Sequence, residues 1–173
     1  MKPELQAKFL QHLNKKKADS GFTLIELLVV IIIIGILAAI ALPSLLSQAN
    51  KAKQSEGRNN IGAVNRAQQA RYLESAVFAT GTDAFGVLGI GIPTQTTNYK
   101  YDTASTDAKV SVLNSATPII NNLKSYAGLV FTTQINNQSA TRAIACESKE
   151  TTIAVPTLTG NECGTDFKDL GGT

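Results

Sequence analysis

The stretch that decides the fold is Gly21-Phe22-Thr23-Leu24-Ile25-Glu26, which separates a polar N-terminus from a long apolar run. The segment from Phe22 to Leu42 contains 21 residues. At ~1.5 Å per residue, a helix of this length crosses the ~30 Å hydrocarbon core of a bilayer. The run Val29–Ile34 is β-branched and unfavourable for a helix in water, but a backbone in lipid must satisfy its own hydrogen bonds. The sequence therefore predicts one membrane-spanning helix near the N-terminus.

Positive charge is concentrated before this helix. Residues 1–21 carry five lysines against two acidic side chains, which accounts for the whole +3 charge of the chain. Lysines that flank a span keep that end in the cytoplasm. The neutral remainder lacks the basic surface of a nucleic-acid-binding domain. We expect three parts: a cytoplasmic leader at residues 1–21, a membrane helix at 22–46, and a globular domain beyond the membrane at 47–173.

A second helical pattern follows the apolar run. The 3.6-residue period continues from Ser44 to Phe78 and ends before Thr80-Gly81-Thr82, which is a helix stop signal. Small side chains in a stripe permit close approach, so this amphipathic half is predicted to pack against a sheet or other helices. The predicted stripe consists of Ala63, Ala67, Ala70, Leu73 and Val77.

The rest of the chain has the composition of strands and turns. The glycine-spaced apolar segment Phe85–Pro93 is predicted to be a loop. Short runs rich in β-branched and aromatic residues then alternate with Asn, Ser and Gly. They predict strands at Tyr99–Ala104, Lys109–Leu113, Tyr126–Thr133 and Thr141–Glu147. We therefore predict an α+β fold in which one long N-terminal helix packs on a small antiparallel sheet of about four strands.

Catalytic residue types do not come together in this sequence. The single histidine, His12, lies in the leader, so histidine catalysis or metal ligation in the domain is excluded. Gly86–Gly91 superficially resembles a phosphate-binding loop, but no Lys-Ser or Lys-Thr follows it. No carboxylate pair, activated nucleophile or metal cluster can be assembled from spacing. The sequence predicts a protein that is not an enzyme and that uses no cofactor, metal or nucleotide.

Two cysteines, Cys146 and Cys163, lie near the C-terminus. An even number of cysteines beyond a membrane-targeting segment suggests an exported, oxidised disulfide. It would close a loop of about 18 residues and stabilise the domain by about 3 kcal/mol. The alternative is two unrelated buried thiols.

The boundary stretch resembles the prepilin peptidase signature of type IV pilins and the related pseudopilins. It has the glycine of that signature at Gly21, the phenylalanine at Phe22 and the glutamate at Glu26, ahead of an unbroken span. Gly35 and Pro43 match further positions that are common in pilins. The resemblance covers roughly residues 15–80. Within it, the segment Asn65-Arg66-Ala67-Gln68-Gln69-Ala70 is most similar to major pilins of cyanobacteria.

This resemblance implies a type IV pilin fold and a structural function. A prepilin peptidase would remove the leader after Gly21, and the new terminal residue, Phe22, would be N-methylated. The subunit would wait in the cytoplasmic membrane and then polymerise with copies of itself into an extracellular helical pilus whose core is formed by residues 22–46. A pilus assembly platform and motor ATPases would be separate partners. Pili of this family serve twitching motility, adhesion and DNA uptake.

Three residues of the span have expected roles in such a fibre. Glu26 is a carboxylate in an apolar helix, which is costly without a partner. We expect it to attract the Phe22 amine of a neighbouring subunit and so to set the axial offset. Gly35 and Pro43 weaken a helix through backbone entropy and a missing donor, and in similar pilins such a stretch loses helix on assembly. The simpler interpretations are a glutamate that reaches the headgroups and a plain kink.

The sequence also allows other interpretations of the N-terminal segment and of the function. Ala39-Ile40-Ala41 has the form of a secretory cleavage site after Ala41, although the apolar run is longer than usual and contains Glu26. A pseudopilin of a type II secretion system shares the N-terminal signature, and the cysteine pair favours a pilin over it. A minor pilin that primes or caps the fibre fits the same residues. An enzyme or binding domain tethered by one span would need a recognisable site.

Overall fold

The structure, a computed structural model, describes residue 8 and residues 22–136, 138–155 and 158–172. These residues fall into two units, of which the first ends at Leu46 and the second is Ser47–Thr173. The expected cleavage residue Gly21 and the leader histidine His12 lie outside the described residues.

A single helix, α1, runs from Leu24 to Ser75 over 52 residues and continues through Gly35 and Pro43. Among the described residues it is the one helix long and apolar enough to cross a membrane, with a mean hydropathy of 3.1 in its most apolar window. Large apolar side chains from Phe22 to Leu46 are between 44% and 81% exposed. The predicted apolar helix is therefore confirmed, and among the described residues of this unit nothing covers its large apolar side chains.

The helix ends at Ser75, three residues before the predicted end at Phe78. Ala76 has a φ of 56°, which lies in the left-handed region that stops a helix. The Ser75 hydroxyl lies 2.9 Å from the Arg71 carbonyl and 3.1 Å from the Val77 carbonyl, so its single proton can be donated to either side of this stop. Phe78 is then free to enter the core instead of continuing the helix.

The second unit contains a five-stranded antiparallel sheet. The strands of this unit are β1 Tyr99–Ala104, β2 Ser111–Pro118, β3 Tyr126–Ile135, β4 Gln138–Ser148, β5 Leu158–Thr159, β6 Glu162–Cys163 and β7 Phe167–Gly172. The strands of the five-stranded sheet follow the spatial order β1-β2-β3-β4-β7, and β5 and β6 form a separate two-stranded hairpin. A long helix packed on a small antiparallel sheet confirms the predicted α+β fold.

The predicted strands differ from the observed ones in detail. The bounds of β1 are as predicted. Strands β3 and β4 are each longer than their apolar runs because they pair with one another, Tyr126–Ile135 against Gln138–Glu147. The prediction for β2 started too early, because Asp107 binds the backbone of Lys109 in a turn. The apolar segment predicted as a loop contains a short helix, α2 at Ala84–Leu88, which Gly89 ends in the left-handed region at a φ of 63°.

The face that α1 buries against the sheet is not the predicted alanine stripe. Leu73 is 79% exposed and Ala70 is also exposed. The other stripe residues, Ala63, Ala67 and Val77, are partly buried, so the stripe only flanks the buried face. The prediction weighed apolarity alone, whereas the buried face also includes a glycine and two amides. Packing of the stripe against other helices stays a prediction. The buried residues of α1 are Gly57, Ile61, Val64, Asn65 and Gln68.

Close approach of α1 to the sheet depends on two glycines. A Cβ at Gly57 would lie 2.8 Å from Cζ of Tyr99. A Cβ at Gly128 would lie within 2.6 Å of all three heavy atoms of the Asn65 side-chain amide group. Real Cβ atoms do not approach so closely, so the helix backbone rests directly on aromatic rings.

Burial raises the pKa of Tyr101, which belongs to the same core, to about 12.

An amide network in this interface fixes the helix relative to the sheet. Gln68 is fully buried, and its carbonyl oxygen accepts from the Ala79 N–H at 2.9 Å while its amide donates to the Ala79 carbonyl at 2.7 Å. The same amide also donates to the Asn114 side chain at 3.3 Å, and Asn114 donates to Asn65 at 3.0 Å. Asn65 donates in turn to the Ile144 carbonyl at 3.1 Å. The network joins α1, the segment after it, and two strands.

The disulfide between Cys146 and Cys163 is confirmed, with a Cα–Cα distance of 5.8 Å and a sequence separation of 17. Cys146 is fully buried on β4, and Cys163 belongs to β6. The bond therefore fastens the hairpin β5–β6 to the sheet, just before the chain enters β7. In a small domain, this link limits the freedom of the C-terminal strand in the unfolded chain.

Candidate processing and assembly site

The start of α1 is organised by Thr23 and Glu26. The Thr23 carbonyl accepts the first helical hydrogen bond, from Leu27, so Thr23 is the N-cap residue. The Thr23 hydroxyl accepts from the Glu26 N–H at 3.3 Å, and the Glu26 carboxylate accepts from the Thr23 N–H at 2.8 Å. This reciprocal pair is a capping box. The Thr23 hydroxyl is also placed to donate to the same carboxylate, at 2.8 Å.

The capping box gives the carboxylate a local partner. Glu26 is the single ionisable side chain between Phe22 and Asn50. A carboxylate in such an apolar segment needs hydrogen bonds, and Thr23 supplies them from within the same chain. Sequence reasoning missed Thr23 as a site residue, although the spacing Thr-x-x-Glu is the signature of a capping box.

Phe22 precedes the N-cap and is 81% exposed. In the unprocessed chain its nitrogen is part of a peptide bond, so it carries no charge that could pair with Glu26. The structure therefore brings Glu26 to Thr23. The expected pairing of Glu26 with the Phe22 amine of another subunit concerns the processed chain, and it stays a prediction.

The two expected helix-weakening residues lie within a continuous helix. Pro43 is inside α1 and has no N–H, so the Ala39 carbonyl lacks its usual donor. A Cβ at Gly35 would meet nothing within 4 Å among the described residues, so close packing in the isolated subunit does not require a glycine there. Weakening of α1 at these two positions is expected from their own backbone properties. This weakening and its role in a fibre stay predictions.

Two family models match this chain. A model described as "Prokaryotic N-terminal methylation motif" matches residues 16–42, and one described as "Type IV pilin-like G and H, putative" matches residues 54–166. Together with the long helix on its small sheet, these matches define the class: the chain is a type IV pilin-like protein with an N-methylation motif. It belongs to the type IV pilin-like G and H family, whose members are structural proteins and not enzymes.

Curated relatives include both pilins and a secretion protein. The chain is 35% identical over 98 residues to the type IV major pilin protein PilA of Myxococcus xanthus, covering 57% of this chain and 43% of that protein. It is 42% identical over 72 residues to the fimbrial protein EcpC of Eikenella corrodens, covering 42% and 47%. It is 37% identical over 68 residues to the type II secretion system core protein G of Vibrio cholerae, covering 39% and 47%. The chain spans about half the length of the curated relatives it matches.

Proposed function

We propose that this chain is a pilin, the repeating structural subunit of a type IV pilus. The observation that carries the proposal is the apolar part of α1. Its large side chains from Phe22 to Leu46 are exposed in the subunit, and a capped carboxylate at Glu26 lies in its first turn. Such a surface needs either lipid or copies of itself to cover it. In a membrane-held subunit that later polymerises, this surface is covered first by lipid and then by copies of the same chain.

Processing precedes assembly in this proposal. A prepilin peptidase cuts after Gly21 and releases residues 1–21, and Phe22 becomes an N-methylated terminus. The match to the N-terminal methylation motif over residues 16–42 supports this step. The single-pass precursor lies in the cytoplasmic membrane, and the processed subunit moves to the extracellular pilus with the help of an assembly platform and motor proteins.

Cleavage changes the chemistry around Glu26. Before the cut, its carboxylate has two donors, both from Thr23. After the cut, a cationic amine exists at Phe22, and in a dry fibre core that amine needs an anion. Glu26 of a neighbouring subunit supplies it and sets the axial offset between subunits. Leaving one charge of such a buried pair alone costs about 3–5 kcal/mol.

Gly35 and Pro43 have a mechanical role in this proposal. They lie within the bundled core of residues 22–46, where the helix between them loses backbone hydrogen bonds and lengthens. The missing N–H of Pro43 makes its turn the weakest point. The fibre can then extend under load without separating its subunits.

We propose that the subunit is a major pilin and that its source is a cyanobacterium. The segment Asn65–Ala70 supports that assignment, and it contains Asn65 and Gln68 of the buried amide network. The 35% identity to a type IV major pilin of Myxococcus xanthus supports the major-pilin part of this proposal. Twitching motility, adhesion and DNA uptake are the activities we propose for the pilus.

A pseudopilin of a type II secretion system is the second candidate. The 37% identity to core protein G of Vibrio cholerae favours it. Deleting the gene separates the two. Loss of surface fibres with normal protein secretion supports the pilin, and loss of secretion with unchanged surface fibres supports the pseudopilin.

The assembly step is tested by Glu26→Val, with Glu26→Asp and Glu74→Val for comparison. Glu74 is an exposed carboxylate in the same helix, so its replacement controls for loss of a helical charge. We expect Glu26→Val to accumulate in the membrane and to be absent from sheared fibres, and Glu26→Asp to assemble at reduced efficiency. Wild-type amounts of fibre from Glu26→Val alone would refute the proposed pairing.

A further inference from the structure

The turn between β2 and β3 exposes two consecutive isoleucines. Ile119 is 46% exposed and Ile120 is 39% exposed, whereas Pro118 and Leu123 on either side are buried. Leu123 belongs to the core, and the Ile119 N–H donates to the Asn98 carbonyl at 2.9 Å. The turn is therefore held at both ends, and the two isoleucines are presented at a fixed place on the surface.

This turn contacts α1 close to the end of the apolar run. The Asn122 side chain donates to the Asn50 side chain at 3.2 Å, and Asn50 is the fourth residue after Leu46. Four helical residues advance ~6 Å. A bilayer has a ~30 Å hydrocarbon core within a total of ~40–45 Å, which leaves an interfacial layer of roughly 5–8 Å on each side. If Leu46 ends the span, then Asn50, whose side chain binds the turn, follows along α1 within the thickness of this layer.

Neighbouring residues suit the same layer. Ile153 is also exposed, and it is brought near the turn because the Thr152 N–H donates to the Leu123 carbonyl at 3.1 Å. Lys51 follows Asn50 and is exposed, so its ammonium can reach a lipid phosphate while its stem covers apolar surface. Single exposed apolar residues are ordinary. Here, however, the three isoleucines belong to two segments that are joined by a backbone hydrogen bond at Leu123, and the first of these segments binds Asn50.

We propose that the turn Ile119–Asn122 inserts its two isoleucines into the headgroup layer of the bilayer that holds the span. The end of the domain then rests on phospholipid until the subunit is extracted. Partly buried apolar side chains beside a basic residue are typical of segments that lie in a membrane interface. The inference rests on the proposed function, because it requires α1 to be in a membrane. Cover by a second copy of the chain is the competing outcome of the test.

The sequence allows a direct test because it contains no tryptophan. The full chain carrying Ile120→Trp is reconstituted into vesicles of phosphatidylethanolamine and phosphatidylglycerol, with and without phospholipid brominated high on its acyl chains. Val110→Trp is the matched control, since Val110 is 52% exposed. The eight residues of β2 separate it from the turn, a distance of ~26 Å at ~3.3 Å per residue. Ile32→Trp reports separately whether the span is in the bilayer.

We expect Ile120→Trp to show blue-shifted emission and loss of intensity in brominated lipid, at every protein-to-lipid ratio, with no such change for Val110→Trp. Ile119→Trp gives a second reporter if Ile120→Trp fails to fold. Quenching of Ile32→Trp without quenching at either turn position overturns this inference alone. Absence of quenching at Ile32→Trp overturns the membrane span and this inference together. A blue shift that rises with protein density and is insensitive to bromine assigns the turn to a second copy.

Discussion

Gln68 should be the most sensitive polar position of the domain, and Gln68→Met tests this. Methionine has a similar length, flexibility and helix propensity, so the change removes hydrogen bonds while keeping most of the volume. In the wild type, Gln68 satisfies both backbone groups of Ala79 and one oxygen of Asn114. These groups are buried, so water does not readily replace the lost partner.

The size of the effect follows from the groups left unpaired. A buried donor or acceptor that loses its partner costs about 1–3 kcal/mol. The two Ala79 groups therefore cost about 2–6 kcal/mol, and burying a thioether in place of an amide recovers about 1 kcal/mol. We expect the free energy of unfolding to fall by about 1–5 kcal/mol. With a urea dependence of ~2 kcal/mol per molar, the midpoint falls by roughly 0.5–2.5 M.

Tyrosine fluorescence during urea unfolding of the detergent-solubilised chain measures this change. All four tyrosines lie between residues 72 and 126, so the signal reports the domain and not the apolar half of α1. Gln69→Met is the matched control, because Gln69 is adjacent in the helix and only partly buried. The control should unfold within about 0.5 kcal/mol of the wild type. Equal midpoints for Gln68→Met and Gln69→Met would refute the role assigned to the network.

Three further predictions concern the same domain. Gly57→Ala should lower the free energy of unfolding by about 1–3 kcal/mol, because its Cβ would lie 2.8 Å from the Tyr99 ring. Gly62→Ala is the control, because its Cβ has no contact closer than 3.5 Å, and it should be neutral or stabilising. Equal urea midpoints for Gly57→Ala and Gly62→Ala would contradict this reasoning. Cys146→Ser should cost about 3 kcal/mol in non-reducing buffer and make the midpoint insensitive to reductant. A urea midpoint of Cys146→Ser equal to that of the wild type would show that packing alone holds the hairpin β5–β6. Burial raises the pKa of Tyr101 to about 12, whereas a tyrosine in the unfolded chain titrates near pH ~10. The free energy of unfolding should therefore be constant up to pH ~10 and should fall above it, because the unfolded chain loses the phenolic proton first. Urea midpoints that do not fall above that pH would contradict the burial of this group.

Local signals predicted much of the architecture. The apolar run predicted the first half of α1, and the β-branched and aromatic residues of Tyr99–Ala104 predicted β1 with its observed bounds. Two cysteines beyond a span predicted the disulfide between Cys146 and Cys163. In each case the signal lies within a short segment or in residue type alone, so no tertiary information was needed.

Features decided by tertiary fit were not predicted. β7 contains two glycines and charged residues, and it is a strand because β4 offers it an edge. The buried face of α1 follows from close approach at Gly57 and from amides that find partners on the sheet, neither of which raises apolarity. The capping role of Thr23 is visible in the sequence as Thr-x-x-Glu. It was not predicted because Glu26 was interpreted only through its expected role in a fibre.

Mass spectrometry of fibres sheared from the cell surface tests the central claim most directly. The account predicts that this chain is an abundant component, that its first residue is Phe22 carrying an N-methyl group, and that Cys146 and Cys163 are recovered in one cross-linked peptide. Fibres that lack this chain would contradict the account. A chain that begins at Met1 or at residue 42 would also contradict it.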